Sequence, residues 1–308
     1  MNPRVHILIP VHNRRAITFN CLRRLQAQGV SGWAELIVVD DGSTDGTGEA
    51  IQAEFPAVTV LRGNGQLYWT GAIELGMRHA FAEGAAFIFW LNDDCEPQPG
   101  ALAALLAAAQ RTGGVTGGVC LLPGSQFPVY GGFTKARFDL DFVSCAPGEE
   151  LACDALNGNL VCVPRAIVEA VGFPDGRGLP HAFGDTDYTL RVRASGRTVT
   201  LIGMARATAA PQNPANYASW LVGDITVIQL WRNLFTVRSY AYFPAHFRFL
   251  RRHWGLAGAA WCGWLVLKRI PITLLKLVLP LRMRRALWSG KSRAWRYEQK
   301  IREESTHG

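Results

Sequence analysis

No Cys-x-x-Cys pair occurs in the 308-residue chain, and its seven cysteines (Cys21, Cys95, Cys120, Cys145, Cys153, Cys162 and Cys262) are odd in number and widely spaced. That pattern argues against a zinc site or a disulfide scaffold. Charge is scarce, at 18% of residues against 49% hydrophobic, so an intrinsically disordered chain is excluded. Glycine and proline show no short period and no segment repeats itself, which removes collagen-like, solenoid and low-complexity architectures. The apolar stretch Val5-His6-Ile7-Leu8-Ile9 is too short for a signal-peptide core and has no small-residue cleavage site behind it. These absences together predict a globular, cytoplasmic, reduced protein, long enough for one α/β domain with an appendage or for two modest domains.

Acid is missing from one long stretch. Between residues 225 and 297 there are fourteen Lys or Arg and no Asp or Glu, so with a net charge of +8 the remainder of the chain carries −6. Such asymmetry predicts a polyanionic partner, either nucleic acid or an anionic membrane surface. The neighbouring residues favour the membrane. Residues 256–267 are apolar throughout, Lys268-Arg269 interrupts, and residues 270–281 are apolar again except for Thr273 and Lys276, with Trp254, Trp261, Trp264 and Trp288 nearby. A helix over the first run reaches only about 18 Å, short of the roughly 30 Å hydrocarbon core. Pro271 and Pro280 are expected to break a longer helix. The expectation is therefore helices lying in the membrane interface, with Lys and Arg at lipid phosphates and Trp at headgroup depth. Docking of these residues on protein and a re-entrant hairpin stand as alternatives. The division expected is residues 1–215 as a catalytic domain and 216–308 as a basic, Trp-rich helical extension.

The first hundred residues alternate in period. Continuous apolar runs at 5–10, 35–39, 57–61 and 86–91 read as strands, and helical spacing marks 16–28, 44–55 and 70–83. Strands buried on both faces and joined by helices mean a largely parallel sheet, with ligands bound where the strands end. The segments at those strand ends are polar and acidic: Pro10-Val11-His12-Asn13, then Asp40-Asp41-Gly42-Ser43-Thr44-Asp45, then Gly63-Asn64-Gly65, then Asn92-Asp93-Asp94. Helix capping explains Ser43 or Asp45. Two adjacent acidic pairs at neighbouring strand ends repel unless a cation or hydrogen-bond donors compensate them. A site for a divalent ion and a nucleotide is the economical reading.

These segments resemble the family 2 glycosyltransferases, inverting enzymes of the GT-A nucleotide-diphospho-sugar fold. The matching pieces are Pro10-Val11-His12-Asn13-Arg14, Ile37 through Thr47 with Asp40-Asp41-Gly42-Ser43, and Trp90-Leu91-Asn92-Asp93-Asp94. They continue with Asn157-Gly158-Asn159-Leu160, Val171-Gly172-Phe173-Pro174 and Phe183-Gly184-Asp185-Thr186-Asp187. In order and spacing the likeness covers about residues 4 to 205. The nearest look is to bacterial rhamnosyl and galactofuranosyl transferases of surface polysaccharide assembly, through Gly63-Asn64-Gly65-Gln66-Leu67-Tyr68-Trp69-Thr70-Gly71.

The resemblance implies a mixed, mostly parallel sheet flanked by helices and assigns roles to residues. Pro10, His12 and Asp41, with Asp40 alongside, would hold the donor nucleotide. Asp94 would ligate Mn²⁺ or Mg²⁺, and Asp93 would contact the ribose or donor sugar. Asn92 stands where the pattern has its first acid. Asp185 matches the base that deprotonates the acceptor hydroxyl, supported by Asp187, and a helix start there would favour its ionised form. Asn157, Gly158 and Asn159 allow close approach of the acceptor, and Trp69 is either a sugar-stacking surface or core. The family's late histidine ligand is missing from residues 203–214, so either the metal has fewer protein ligands here or another residue such as Asn213 stands in. The implied partners are a nucleotide-sugar donor, a lipid-linked saccharide acceptor and the inner face of the cell membrane, with oligomeric state open. Three other readings compete: an inactive sugar-nucleotide or membrane-binding scaffold, a nucleic-acid binder resting on the basic tail alone, and a dinucleotide oxidoreductase. The last lacks Gly-x-Gly-x-x-Gly after the first strand.

Overall fold

The computed structural model describes residues 3–210, 226–288 and 301. The chain divides into two compact units, Met1–Leu121 with Pro128–Ala210, and Leu122–Phe127 with Pro211–Gly308. The first unit opens with the alternation read from the sequence: β1 (Val5–Val11), α1 (Arg15–Ala27), β2 (Glu35–Asp40), α2 (Thr47–Glu54), β3 (Thr59–Arg62), α3 (Tyr68–Ala82) and β4 (Phe87–Leu91). It continues through β5 (Cys95–Pro97), α4 (Ala101–Thr112), β6 (Val115–Leu121), β7 (Pro128–Tyr130), β8 (Gly132–Ala136), β9 (Asp139–Val143), β10 (Glu150–Ala152) and β11 (Ala155–Leu156). It ends with β12 (Leu160–Pro164), α5 (Arg165–Val171), α6 (Gly184–Ala194) and β13 (Val199–Ala209).

The sheet is mixed. β3, β2, β1 and β4 lie side by side and parallel. β12 then runs antiparallel between β4 and β6, and β13 lies parallel to β6 and antiparallel to β5 and β10. A small sheet of β11, β8 and β9 stands apart. The chain leaves β1 on the β2 side and returns on the other at β4, so a topological switch point falls between β1 and β4. A ligand crevice is expected beyond their carboxyl ends.

Burial explains why the alternating segments take these forms. β1, β2 and β4 are inaccessible along nearly their whole length, as strands covered on both faces must be. α3 lies on them through Ile73, Met77 and Ala80, which join Leu8, Val39 and Trp90 in one core. Tyr188 carries α6 onto the same core, its ring edge-on to Trp90 at 5.3 Å. An ion pair fixes the other side of α6: fully buried Asp187 receives Arg191 Nε at 3.1 Å. The same guanidinium donates to the carbonyls of Val171 at 2.8 Å and Phe173 at 2.9 Å. Asp187, expected to support the acceptor, thus holds α6 to the loop after α5.

In the second unit the described helices are α7 (Val227–Arg232), α8 (Phe243–Leu267), α9 (Arg269–Val278) and α10 (Leu281–Trp288). Thr226 and Gln229 cap α7 reciprocally. Gly255, at φ 65° and ψ −149°, breaks α8 into two helical segments. The longer helix is interrupted as expected: α8 ends at Leu267, four residues before Pro271, and Pro271 itself sits in the first turn of α9, where its missing N–H costs little. Pro280 falls between α9 and α10, as a helix breaker should. Among the described residues no helix is long and apolar enough to cross a membrane.

Asp187→Asn leaves the Arg191 guanidinium without its buried counter-charge. Urea denaturation should register a loss of about 2–3 kcal/mol; a change within about 0.5 kcal/mol would show the pair to be incidental.

Candidate active site

The strand-end loops are stitched to one another by hydrogen bonds from carboxylate, hydroxyl and amide oxygens to backbone N–H. Asp40 Oδ1 accepts from Ser43 N–H at 2.9 Å, and its carbonyl accepts from Gly63 N–H at 2.7 Å. Ser43 Oγ accepts from Asn13 N–H at 2.9 Å, and Asn13 Oδ1 accepts from Thr44 N–H at 2.7 Å. Asp45 Oδ1 accepts from Thr47 N–H at 3.1 Å, from one residue outside the cap, the N-cap position of α2 being Gly46 rather than Asp45 or Ser43. Asp41 is the hub. Its Oδ1 accepts from Gly65 N–H at 2.8 Å and its Oδ2 from Tyr68 N–H at 2.9 Å. His12 Nδ1 donates to the Asp41 carbonyl at 2.7 Å, which places the proton on Nδ1. Backbone donors, rather than a cation, compensate this first acidic pair. Pro10 lies half-buried at the end of β1, beneath the same loops.

The second acidic pair is compensated by Arg14. Its Nη1 lies 3.2 Å from Asp93 Oδ1 and its Nη2 2.8 Å from Asp94 Oδ2. Asp93 Oδ2 also accepts from Thr18 Oγ at 3.0 Å, and its side chain is only 1% exposed. Burial pushes the Asp93 carboxyl up to about 6 despite the guanidinium beside it. Asp93 is thus turned inward onto α1, not outward to a donor ribose as the sequence led us to expect, because Arg14 and Thr18, one helical turn apart, face it together. Asp94 stays 20% exposed.

Asn92 joins the two halves of the site. Its Oδ1 accepts from Trp69 Nε1 at 2.7 Å, and its amide N–H donates to Asn159 Oδ1. At the position where the pattern has its first acid, the side-chain oxygen thus takes the indole proton. The residue preceding Asn159 in the loop, Gly158, donates its N–H to Asp185 Oδ2 at 2.8 Å. Only glycine fits there, since a Cβ would stand 2.4 Å from the Trp69 ring and 3.0 Å from Asp185 Cβ. Asn157 Oδ1 accepts from Asn159 N–H at 3.2 Å and so shapes this turn. Trp69 is partly exposed, with one edge against Trp90 at 5.8 Å, so both of its expected roles are compatible with its place.

Asp185 lies in the first turn of α6, and its Oδ1 accepts from Thr186 N–H at 2.7 Å. The residue as a whole is half-buried. Burial raises its pKa above the ordinary 3.8, and the N–H groups of Gly158 and Thr186 offset part of that rise. Each oxygen accepts one backbone proton and keeps lone-pair capacity for another. Three helices start beside these loops on left-handed residues that are not glycine: Asn13 (φ 54°) before α1, Tyr68 (φ 54°) at α3 and Phe183 (φ 68°) at α6. Such conformations cost about 1–3 kcal/mol each and gather at functional sites.

A path of polar contacts links Asp41 to Asp185, running from Asp41 to Tyr68, from Trp69 to Asn92, and through Asn159 and its neighbour Gly158 to Asp185, with Asp94 two residues after Asn92. Asp40, Asp41, Asp93 and Asp187 are all buried. Arg14 was missed as a functional residue, although its place four residues before Thr18 and behind His12-Asn13 was a signal. Among the described residues no group of three or more His, Cys, Asp or Glu is placed to hold a metal, and Asn213 lies outside them. Asp94 nevertheless fits a hard divalent ion that keeps waters and takes its other ligands from a diphosphate.

Residues 6–131 match the family model for glycosyl transferase family 2. Among solved structures, GalNAc-T7 with UDP, GalNAc and Mn²⁺ superposes with a TM-score of 0.58 at 16% identity, over 68% of this chain and 44% of that one. The mannosyltransferase PcManGT from Pyrobaculum calidifontis, in complex with GDP-Man and Mn²⁺, gives 0.56 at 18% identity, over 99% of this chain and 86% of its own. The fold is GT-A. TarS from S. aureus shares it, with a TM-score of 0.52 at 12% identity over 81% of this chain and 73% of that one. The GT-A chain spans less than half the length of GalNAc-T7. An uncharacterized protein of Mycobacterium tuberculosis, Rv1525, is 26% identical over 212 residues, 62% of this chain and 67% of its own.

Removing Arg14 leaves two carboxylates uncompensated, one of them buried. Arg14→Ala in the presence of EDTA should cost about 2–4 kcal/mol at pH 8 by urea denaturation. The Asp93 carboxyl titrates near 6 in the folded protein, and higher still without Arg14. The folded state therefore binds that proton more tightly than the unfolded chain, and the deficit should shrink as pH falls through this range. A deficit that grows on acidification would contradict the pairing.

Proposed function

We propose that the GT-A unit is a metal-dependent inverting glycosyltransferase that moves a hexosyl or deoxyhexosyl group from a nucleotide-sugar to a saccharide acceptor. The observation that carries this reading is Asp185, a carboxylate held by two backbone N–H groups in a loop tied through Asn159 to Asn92, two residues before Asp94. Asp185 takes the proton of the acceptor hydroxyl as its oxygen attacks the anomeric carbon, and the carbon–oxygen bond to the nucleoside diphosphate breaks on the opposite face. Asp41, His12 and Pro10 form the floor on which the nucleotide base rests. Asp94 is the residue that would hold Mn²⁺ or Mg²⁺; the ion, when bound, supplies positive charge to the departing diphosphate. Gly158 and Asn159 let the acceptor approach, with Trp69 as the surface beside it.

The acceptor is a lipid-linked saccharide at the cytoplasmic face of the membrane, in surface polysaccharide assembly of the rhamnosyl or galactofuranosyl kind. Support comes from the acid-free basic stretch with its outward apolar helices, and from seven buried cysteines that are all free thiols. A second reading, a GT-A-fold binding protein without turnover, is favoured by the commitment of Asn92 to Trp69 and Asn159. Metal-dependent release of nucleoside diphosphate by the purified chain separates the two.

Asp185→Asn should retain donor binding and lose about 10³-fold or more in turnover; undiminished transfer removes the base. Because the ionised form is the active one and burial raises its pKa, the acidic limb of kcat/KM should lie above the ordinary carboxylate range. A limb below that of an ordinary aspartate would contradict this assignment. With one exposed carboxylate available, Mn²⁺ alone should leave Tm nearly unchanged, whereas Mn²⁺ with a nucleoside diphosphate should raise it. Equal stabilisation by the ion alone would place the metal elsewhere.

A further inference from the structure

α9 is built inside out. Its one buried residue is Thr273, 8% exposed, whose hydroxyl is satisfied by donating to the Arg269 carbonyl at 2.8 Å. Its leucines face outward instead, with Leu274 at 59%, Leu277 at 66% and Val278 at 77% exposure. Together with Ile270 these keep a helical i, i+4, i+7, i+8 spacing. The second segment of α8 carries a matching row, Leu256, Ala260, Trp264 and Leu267, all exposed. Exposed apolar rows on two successive helices mark an interaction surface.

We propose that this face of α8 and α9 lies in the plane of an anionic bilayer interface, with Lys268, Lys276 and Arg282 at the lipid phosphates. This inference rests on the membrane arm of the function proposed above and names the surface that serves it. Charge decides the occupant. Fourteen cationic and no acidic residues lie between 225 and 297. A second copy docked face to face through a two-fold axis would set these cations against one another with no acid of the same stretch to relieve them. Nucleic acid offers phosphates but nothing to cover Leu274, Leu277 and Val278. A bilayer interface offers both an anionic surface and an apolar layer beneath it. In-plane placement comes from length, because a ten-residue helix spans about 15 Å, half of a hydrocarbon core.

The test is co-sedimentation of the full-length chain with phosphatidylcholine vesicles with and without phosphatidylglycerol. Wild type should bind the anionic vesicles and scarcely the neutral ones. Leu274→Glu with Leu277→Glu, both at exposed positions, should weaken binding by about tenfold or more, and Lys276→Glu with Arg282→Glu should weaken it in a salt-dependent manner. Undiminished vesicle binding by the leucine pair variant overturns the proposal. So does a wild-type dimer that the same substitutions dissociate, or tighter retention of wild type on duplex DNA than on anionic vesicles. Thermal stabilisation by a nucleoside diphosphate with Mn²⁺, measured on each variant, reports separately on the donor site. Vesicle binding without that stabilisation would count against sugar transfer and leave the membrane surface standing.

Discussion

A carboxylate at the end of a buried strand must find donors or a counter-charge, and in this protein that need organises the site. Asp41 closes β2 almost out of contact with water and takes its donors from the backbone of the loop between β3 and α3. Binding Tyr68 N–H fixes where α3 begins, and therefore where Trp69 points. Trp69 in turn meets Asn92 at the end of β4, and Asn92 holds the loop whose Gly158 N–H reaches Asp185. Residues up to 144 positions apart are thereby set by a short run of polar contacts. Each link lies at a strand end or helix start, where backbone groups are left over from regular structure.

The electrostatics obey the same logic. One acidic pair is neutralised by N–H dipoles and the other by a guanidinium, so the rim is electrically settled before any ligand arrives. Arg14 grips Asp94, the exposed member, and Asp93, the buried one, at once. A diphosphate and its ion would have to compete with Arg14 for Asp94 alone. This is why binding of metal and donor is expected to be linked, and why an aspartate pair that looks like two ligands in the sequence supplies one.

The alternating strands and the acids at their ends were legible in the sequence because each rests on local pattern: apolar runs for buried strands, polar and acidic segments where strands end. What each acid touches was not legible. Asp93 and Asp94 are neighbours in sequence, yet the turn between β4 and β5 sends one inward and leaves the other at the surface. The orientation is decided by Thr18 and Arg14 on α1, 75 and 80 residues away. Asp187 shares this fate, its spacing from Arg191 indicating an ion pair but not that the pair is buried. The outward leucines of α9 were also hidden, because an apolar helix reads the same whether its face is covered or bare.

All of this depends on one site reached from both sides of the sheet's switch point. A crystal structure with a nucleoside diphosphate and Mn²⁺, with anomalous data collected at the manganese edge, tests it most directly. The account predicts a single strong anomalous peak about 2.2 Å from an Asp94 carboxylate oxygen, with the diphosphate beside it, the base over Asp41 and His12, and Asp185 facing the open side. Manganese bound away from Asp94, or a nucleotide seated where Asp185 cannot face its diphosphate end, would contradict it.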